Sequence, residues 1–234
     1  MPLDGVLVIV PAHDEEASLP GTLDELRRVA PGVAILVVDD GSGDATSRVA
    51  RERAIPVLRH AVNLGVGAAL QTGFRYAVER GYEIGVQLDA DGQHDPAYLE
   101  ALVDPVRRGD ADVAIGSRYV AHTAYRAPRA RRLGMLLFSG VVRIGTGQRI
   151  FDTTSGFRAY RRAVMEICQH EFPQDFPDAP LLIALARRGF RTCEVPVEMR
   201  ARAAGTSFYT LGKSLYYPYK NLLASLMALL RRPT

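Results

Sequence analysis

The chain has 234 residues, of which 47% are hydrophobic and 24% charged, and its formal net charge is +3. These proportions are those of a chain that buries a substantial core, so they exclude extensive disorder. The small net charge gives no reason to expect a nucleic-acid partner. Cys168 and Cys193 match no metal-binding or redox spacing, and we expect both to be buried, reduced thiols of a cytosolic protein.

No secretion signal or membrane span is predicted. The N-terminus lacks basic residues and enters an apolar strand pattern almost at once. The longest apolar run near the C-terminus, residues 222–230, is about half of the roughly 20 residues that a membrane helix needs. We therefore expect a cytoplasmic chain without an integral membrane segment.

Apolar runs and helical spacings alternate along the first half of the chain. Residues 6–10 form a continuous run typical of a strand buried on both faces, and residues 18–30 carry leucines at helical spacing. Similar signals predict strands at residues 34–38, 56–59, 83–88 and 113–115, and helices at residues 46–53, 66–80 and 96–107. This alternation predicts an α/β fold with a mainly parallel, doubly wound sheet.

The second half has a less regular pattern. We predict a helix at residues 129–147, and a loop entering a short helix at residues 152–160. Another helix is predicted at residues 181–188 and a strand at residues 192–195. An amphipathic stretch follows at residues 211–232. Because no repeat or linker intervenes, we expect one domain over residues 1–210 and a C-terminal amphipathic helical extension over residues 211–234.

Polar, glycine-containing segments follow the five predicted strands of the first half. They are PAHDEE (residues 11–16), DDGSGD (39–44), NLGVG (63–67), DADGQ (89–93) and GSR (116–118). The carboxyl ends of parallel strands meet at one edge of a sheet, and ligands bind there. These segments therefore predict a single polar site.

The pattern Asp89-Ala90-Asp91 is the strongest chemical signal among these segments. Two carboxylates at i and i+2 after a strand can converge on one cation, and hard oxygen ligands suit Mg²⁺ or Mn²⁺. Such an ion would bridge the protein to a diphosphate and stabilise the charge that develops as it leaves. Gln93 could supply a third oxygen. An ordinary turn rich in Asp and Gly has the same composition, so the pattern alone does not decide.

Asp40, at the end of the second predicted strand, is a candidate for contact with a ribose or base. Nucleotide-binding sheets commonly place a carboxylate at this position. Asp44 and Thr46 follow in the same segment. They could join the ligand site or cap the next helix.

Arginines follow the fifth predicted strand and cluster at residues 126–132. Arg118, Arg129, Arg131 and Arg132 present planar donor forks that suit a phosphate. A phosphate that accepts a transferred group is already anionic at neutral pH, so the protein needs only to position it. A sugar hydroxyl in the same role needs a carboxylate base to remove its proton. The cluster could also face membrane headgroups, a nucleic acid or solvent.

Asp152 is a single carboxylate that could cap a helix beginning at residues 153–155.

Seven motifs occur in a fixed order from the first predicted strand to about Ser207. They are PAHDEE, DDGSGDAT, NLGVGAAL, DADGQHDP, GSR, DTTSGFRAYRR and EVPVEMRARAAGTS. In this order they resemble family 2 glycosyltransferases of the GT-A fold, and within that family the dolichol- or polyprenyl-phosphate hexose synthases. The resemblance implies metal-dependent transfer of a hexose from a UDP- or GDP-sugar to a polyprenyl phosphate, with inversion at the anomeric carbon and with Mg²⁺ or Mn²⁺.

The resemblance also implies roles for individual residues. The nucleoside would be held by Pro11, His13, Glu15, Val38 and Asp40. The cation would be held by Asp89, Asp91 and Gln93, with Ala90 beside the nucleotide-sugar. Arg118 and Arg131 would grip the acceptor phosphate, and Arg202 would close over the donor diphosphate. The residues expected to act in the reaction itself are Asp91, Arg131 and Asp152. The resemblance implies that Asp152 lies near the acceptor, where it would position the acceptor or aid its attack.

The C-terminal stretch favours an association beyond the domain. A leucine stripe flanked by tyrosines and basic residues suits a helix in the plane of a membrane interface, although it also suits a core or an oligomer contact. We expect peripheral attachment at the cytoplasmic face of the membrane, with a small membrane-protein partner or a homo-oligomer as further alternatives.

Other functions remain open at this point. A family 2 enzyme that acts on a sugar hydroxyl would share most of these motifs, and so would a non-catalytic nucleotide-sugar-binding protein. A nicotinamide oxidoreductase is disfavoured, because PAHDEE stands where a G-x-G-x-x-G turn would follow the first strand.

Overall fold

The computed structural model describes residues 3–120, 139–140, 142–143, 147–173, 178–200, 220 and 223–228. Within these residues one seven-stranded sheet has the order β3-β2-β1-β4-β6-β5-β7. Its strands are β1 (Val6–Ala12), β2 (Ala34–Asp39), β3 (Val57–Arg59), β4 (Ile84–Gln87), β5 (Val113–Ser117), β6 (Arg158–Arg161) and β7 (Thr192–Pro196). The strand pairs are parallel except where β6 pairs with β4 and β5.

Helices connect the strands of the first half, as the sequence predicts. They are α1 (Leu19–Val29), α2 (Thr46–Glu52), α3 (Val66–Glu79) and α4 (Leu99–Arg107), and a 3₁₀ turn (Pro96–Tyr98) precedes α4. The second half contributes α5 (Arg162–Glu171) and α6 (Ala179–Arg187). The predicted α/β class and the mainly parallel sheet are confirmed.

The prediction for residues 152–160 is wrong in part. Residues 153–155 form a turn and a loop rather than a helix start, and β6 follows where a short helix was expected. β6 inserts antiparallel between β4 and β5. Its sequence, RAYR, places an arginine at each end and so hides the apolar run that marks a buried strand. Pairing on both sides decides its conformation.

Two apolar layers cover the two faces of the sheet. Along β1, Val6, Val8 and Val10 belong to one core cluster, while Leu7 and Ile9 belong to the other. This alternation follows from the two-residue period of a strand. Both faces are buried, which explains why the strand reads as a continuous apolar run.

The direction of β6 determines which loop reaches the site. Six strands end at one edge of the sheet, and the antiparallel β6 begins there. The loop that precedes β6 therefore lies at the same edge as the segments that follow the other strands. We call this edge of the sheet the rim.

Several predicted features fall outside the described residues. They include most of the helix at residues 129–147, most of the amphipathic stretch, and the site candidates Arg131 and Arg202. Residues 223–228 are helical. In the part of the chain that the structure covers, no helix has the length and apolarity to cross a membrane.

Candidate active site

A cleft of about 400 Å³ opens at the rim. Its size falls in the range of roughly 300–1,000 Å³ that is usual for small-molecule sites. It is lined by Pro11, Ala12, His13, Glu15, Asp40, Asn63, Gly65, Val66, Ala69, Asp89, Ala90 and Asp91. Four of the five polar segments that the sequence predicts to converge, those after β1, β2, β3 and β4, therefore line one cavity.

Hydrogen bonds lock the loop after β1 to the loop after β2. The backbone N–H of Asp14 donates to the hydroxyl of Ser42 at 3.0 Å, and the N–H of Glu15 donates to Thr46 Oγ1 at 2.9 Å. In the reverse direction, the N–H of Gly43 donates to Asp14 Oδ1 at 2.7 Å. This reciprocal pairing fixes one wall of the cleft.

Asp44 and Thr46 join these two loops, and the Asp44 carboxylate also accepts from the first N–H of α2. Asp44 accepts from the N–H of Glu16 at 3.0 Å and from the N–H of Thr46 at 2.9 Å. The N-cap of α2 is Ala45, which makes no side-chain cap. Burial acts to raise the pKa of Asp44, but these hydrogen bonds outweigh it and the pKa is lowered.

Asp39 is a buried carboxylate beneath the cleft. It accepts a hydrogen bond from the N–H of Ser42 at 2.8 Å and another from the hydroxyl of Ser47. Burial acts to raise its pKa, but these bonds and the nearby Arg59 outweigh burial, so the pKa lies below its ordinary value. Asp39 therefore stays ionised and stiffens the turn that presents Asp40.

Asp40 holds the loop that follows β3. Its Oδ1 accepts from His60 Nδ1 at 2.7 Å and from the N–H of Leu64 at 2.9 Å, and its Oδ2 accepts from the N–H of Gly65 at 2.7 Å. The residue is buried but lines the cleft. Its carboxylate thus fixes the second wall of the cleft, a role that was not predicted from the sequence.

The remaining nucleoside candidates lie in different surroundings. Pro11, His13 and Glu15 line the cleft, and His13 Nδ1 donates to the backbone carbonyl of Asp40 at 2.9 Å. Val38 does not line it, because its side chain is fully buried in the core between the sheet and α3. The cleft is also lined by Asn63, Gly65, Val66 and Ala69. In the sequence these residues are indicated only by the NLGVG motif and the alanines that follow it.

Asp89 and Asp91 come just after β4 and line the cleft. The side chain of Asp89 is 38% exposed, whereas Asp91 is only 5% exposed. The Oδ1 atom of Asp91 accepts from the N–H of Gln93 at 3.0 Å. Gln93 Nε2 lies 3.4 Å from the carbonyl of Arg200. The two carboxylates differ in environment but line one cavity.

This donor set suits a cation that also takes ligands from its substrate. Among the described residues, no group of three or more His, Cys, Asp or Glu could hold a metal ion by itself. Mg²⁺ is typically held by one or two protein carboxylates, with phosphate oxygens and water as further ligands. Asp89 and Asp91 fit that arrangement, and they do not fit a fully protein-enclosed site.

His94 supports this turn, a role that was not predicted although the residue lies in the DADGQHDP motif. His94 is only 4% exposed, and its Nδ1 accepts from the backbone N–H of Asp89 at 3.1 Å. It stacks on Phe157 with ring centroids 5.1 Å apart, and its backbone forms a β-bridge with Met199. His94 thus ties Asp89 to the loop before β6 and to the segment after β7.

Gly156 lets the loop before β6 approach Asp89 closely. A Cβ at this position would lie 2.8 Å from Asp89 Oδ2 and 3.0 Å from Gln87 Nε2. Real Cβ atoms are almost never that close to a neighbour. The glycine of the DTTSG motif is therefore explained by packing beside a predicted metal ligand.

Arg118, just after β5, and Asp152, in the loop before β6, form a buried ion pair at the rim. Arg118 Nε and Nη2 each donate to a different oxygen of Asp152 at 2.7 Å, and Nη2 also donates to Thr154 Oγ1 at 2.9 Å. The Asp152 side chain is fully buried and that of Arg118 is 11% exposed. Asp152 is thus neither a helix cap nor an exposed carboxylate.

Two further charged residues hold the loop that carries Asp152. Glu194 on β7 accepts from the N–H groups of Phe151 and Asp152, each at 2.8 Å. Burial raises the pKa of Glu194, and the charge of Asp152 adds to the shift against the opposing hydrogen bonds. Arg158, almost fully buried on β6, donates to the carbonyls of Thr153 and Ser155, each at 2.7 Å. Neither Glu194 nor Arg158 was predicted from the sequence.

The two cysteines are free, as expected. Cys168 is buried and burial raises the pKa of its thiol to about 12, whereas Cys193 is only partly buried. Burial also raises the pKa of Tyr160 to about 12. These groups stay protonated at neutral pH and belong to the core.

The sheet order and the position of the cleft define a GT-A fold, and solved structures match it. Glucosyl-3-phosphoglycerate synthase from Mycobacterium tuberculosis, solved with Mn²⁺, UDP and glucosyl-3-phosphoglycerate, superposes with a TM-score of 0.68 at 21% identity, covering 98% of this chain and 81% of that one. A structure of the same enzyme with Mg²⁺ and UDP gives 0.69 at 21% identity, covering 98% and 80%.

The chain belongs to glycosyltransferase family 2, whose family model matches residues 7–167, and it is therefore a glycosyltransferase. It is 38% identical over 217 residues to a polyprenol monophosphomannose synthase of Mycolicibacterium smegmatis, covering 88% of this chain and 81% of the relative. It is 38% identical to an undecaprenyl-phosphate mannosyltransferase of Micrococcus luteus, covering 86% of each chain. A dolichyl-phosphate hexose transferase of Haloferax volcanii is 31% identical, with coverages of 87% and 86%.

Proposed function

We propose that this glycosyltransferase moves a hexose from a UDP- or GDP-sugar to a polyprenyl phosphate. The observation that carries the proposal is the convergence of Asp89 and Asp91 with the nucleoside-sized cleft, next to the buried Arg118–Asp152 pair. Relatives that are 38% identical and are named for polyprenyl phosphate acceptors support the choice of acceptor.

The donor would bind along the cleft. Its nucleoside would lie between the loop that carries Pro11 and His13 and the loop held by Asp40. Asp89 and Asp91, with Gln93, would hold Mg²⁺ or Mn²⁺ at the end where the diphosphate lies. The bound cation would neutralise negative charge on the leaving nucleoside diphosphate.

The acceptor would approach from the side of Arg118, and Arg131 would also hold its phosphate. A phosphate monoester is already a nucleophilic anion, so the protein has to orient it and exclude water rather than remove a proton. The Arg118 fork is held by both oxygens of Asp152, which pre-orients it. Asp152 would thus act in acceptor positioning, and Arg202 would close over the diphosphate. Direct attack on the sugar inverts the anomeric carbon.

A lipid acceptor requires access to a membrane surface. We propose peripheral attachment at the cytoplasmic face through the amphipathic extension at residues 211–234, with the catalytic domain over residues 1–210. The basic cluster at residues 126–132 would add attraction to anionic headgroups. A small membrane-protein partner or a second copy of the chain would be alternative anchors.

A transfer assay tests the proposal. Purified protein is incubated with undecaprenyl phosphate in detergent and with UDP-glucose, UDP-N-acetylglucosamine or GDP-mannose, and with Mg²⁺, Mn²⁺ or EDTA. We expect one sugar to give a glycosyl phospholipid in mass spectra, and only with a cation. Undecaprenol, which lacks the phosphate, is the matched control acceptor. Equal transfer to undecaprenol would favour a hydroxyl acceptor, and nucleotide binding without any transfer would favour a non-catalytic binding protein.

A further inference from the structure

Glu194 anchors the loop before β6 through the backbone of that loop. Its Oε1 accepts from the N–H of Asp152 and its Oε2 accepts from the N–H of Phe151, each at 2.8 Å. The side chain thus uses both oxygens on two consecutive N–H groups. Such a bidentate contact fixes both the position and the direction of the chain at Asp152.

We propose that Glu194 is a positioning residue that sets the orientation of the Arg118 guanidinium through Asp152. The inference rests on the proposed function, in which Arg118 contacts the acceptor phosphate. Glu194 itself contacts no substrate under this proposal.

The contacts form a continuous path between two neighbouring strands. Glu194 lies on β7 and pairs in register with Ile115 of β5. Arg118 directly follows β5, and its own N–H donates to Asp152 Oδ2 at 3.1 Å. The loop is therefore anchored to β7 at its backbone and to the end of β5 at its carboxylate. A shift of either contact moves the other.

Asp152 cannot easily orient Arg118 without this anchor. Both of its oxygens are used by Arg118, and the side chain is fully buried. A displacement of its backbone by a few tenths of an ångström would lengthen two charge-assisted bonds of 2.7 Å, and such bonds depend steeply on geometry. Arg158 on β6 donates to carbonyl groups of the same loop. The N–H groups of the loop are therefore bound by Glu194 and its carbonyl groups by Arg158.

The variant Glu194→Gln tests this arrangement with almost no change in volume. One carboxylate oxygen becomes an NH₂ group, which cannot accept from the N–H that it faces. Glu198→Gln is the matched control, because Glu198 is an exposed glutamate four residues further along the chain. Each variant is combined with Asp152→Asn in a double-mutant cycle.

Two measurements are made on the wild type and on each variant. The first is the steady-state KM for the acceptor phosphate and, separately, the KM for the sugar donor. The second is the ¹⁵N–¹H signal of Arg118 Nε, assigned by its loss in Arg118→Lys, together with its rate of hydrogen exchange. This signal reports the bond to Asp152 whether or not the lipid is the true acceptor.

We expect Glu194→Gln to raise the acceptor KM by about tenfold to hundredfold and to leave the donor KM within about twofold. Exchange of Arg118 Nε–H should accelerate. In the Asp152→Asn background the same substitution should change the acceptor KM by less than about twofold, and Glu198→Gln should behave as wild type throughout.

Three results would overturn the inference: unchanged exchange at Arg118 Nε–H, additive effects in the cycle, or a parallel loss of donor affinity. The last would mean that Glu194 acts only on general stability. If the wild type transfers no sugar to a polyprenyl phosphate, the proposed function fails instead, and the exchange measurement still decides the role of Glu194.

Discussion

At the scale of single residues, the acidic side chains of the rim divide into two groups. Asp39 accepts hydrogen bonds within its own turn and from α2, Asp40 accepts them from the loop after β3, and together they give the cleft its shape. Asp89 and Asp91 line the end of the same cleft, and the side chain of Asp89 is 38% exposed. The first group builds the site, and we assign cation binding to the second.

Asp91→Asn should lower turnover by roughly a hundredfold or more, because the loss of one carboxylate weakens stabilisation of the leaving diphosphate by several kcal/mol. Binding of the nucleoside diphosphate should lose its dependence on Mn²⁺, as measured by calorimetric titration with and without EDTA. The melting temperature is the control for folding. Retention of cation-dependent binding would remove Asp91 from the metal site.

Gly156→Ala should disturb the same site through packing. The new Cβ meets Asp89 Oδ2 at 2.8 Å, so either Asp89 or the loop must move. We expect cation affinity to fall by about tenfold to hundredfold and stability by about 1–3 kcal/mol. Gly21→Ala is the matched control, because Gly21 lies in α1 and a Cβ at that position would meet nothing within 4 Å. Equal cation affinity in both variants would contradict the packing argument.

Asp39 should make stability depend on pH in acid. Its folded pKa lies below the ordinary value of 3.8, so its ionised form stabilises the fold at pH values above 3.8. That contribution is lost as the pH falls below 3.8 and through the folded pKa. In urea unfolding at pH 7, 4 and 3, Asp39→Asn should be less stable than wild type at pH 7, with a smaller decline towards pH 3. An equal decline in both proteins would assign the acid sensitivity to other groups.

At the scale of elements, the alternation of strands and helices in the first half could be predicted from the sequence. The strands appear in the sequence as apolar runs, because both faces of the sheet are covered. Between these runs the apolar residues recur at helical spacing, which marks the helices. β6 could not be predicted in this way, since Arg158 is buried within the sheet and is satisfied by loop carbonyls. α5 was not predicted over residues 162–171, although Val164, Met165 and Cys168, which are buried in the fold, recur at helical spacing.

The site shows the same limit. The motifs after β1, β2, β3 and β4 identify the cleft, because the carboxyl ends of parallel strands meet at one edge. His94, Arg158 and Glu194 each lie within a motif that carries the family resemblance, but their supporting roles depend on contacts between loops and strands that only the fold brings together. The exclusion of Val38 from the cleft likewise depends on the direction in which the strand residue faces.

The C-terminal element carries a prediction about location. The full chain and a chain ending at residue 210 are compared by flotation with vesicles that contain anionic phospholipid. We expect the full chain to float and the shorter chain to remain at the bottom, because the leucine stripe and its basic flanks are removed. Circular dichroism melting establishes that the shorter chain is folded. Equal flotation would place membrane attachment elsewhere in the chain.

At the scale of the whole molecule, the topology explains why one edge of the sheet carries the chemistry. Among the described residues six strands end there, and the antiparallel β6 delivers the loop of Asp152 to the same edge. The cleft is lined by the segments after β1 to β4, and the Arg118–Asp152 pair lies at the ends of β5 and β6, which follow β4 in the sheet order. We propose that a donor and an anionic acceptor meet at the cation site between them.

Anomalous diffraction from a crystal grown with Mn²⁺ and the matching nucleoside diphosphate tests the proposed cation site most directly. We predict a single strong manganese peak at about 2.1 Å from carboxylate oxygens of Asp89 or Asp91, with the diphosphate on the ion and the nucleoside in the cleft beside His13. A peak away from both carboxylates, or a nucleotide bound outside the cleft, would contradict the proposal.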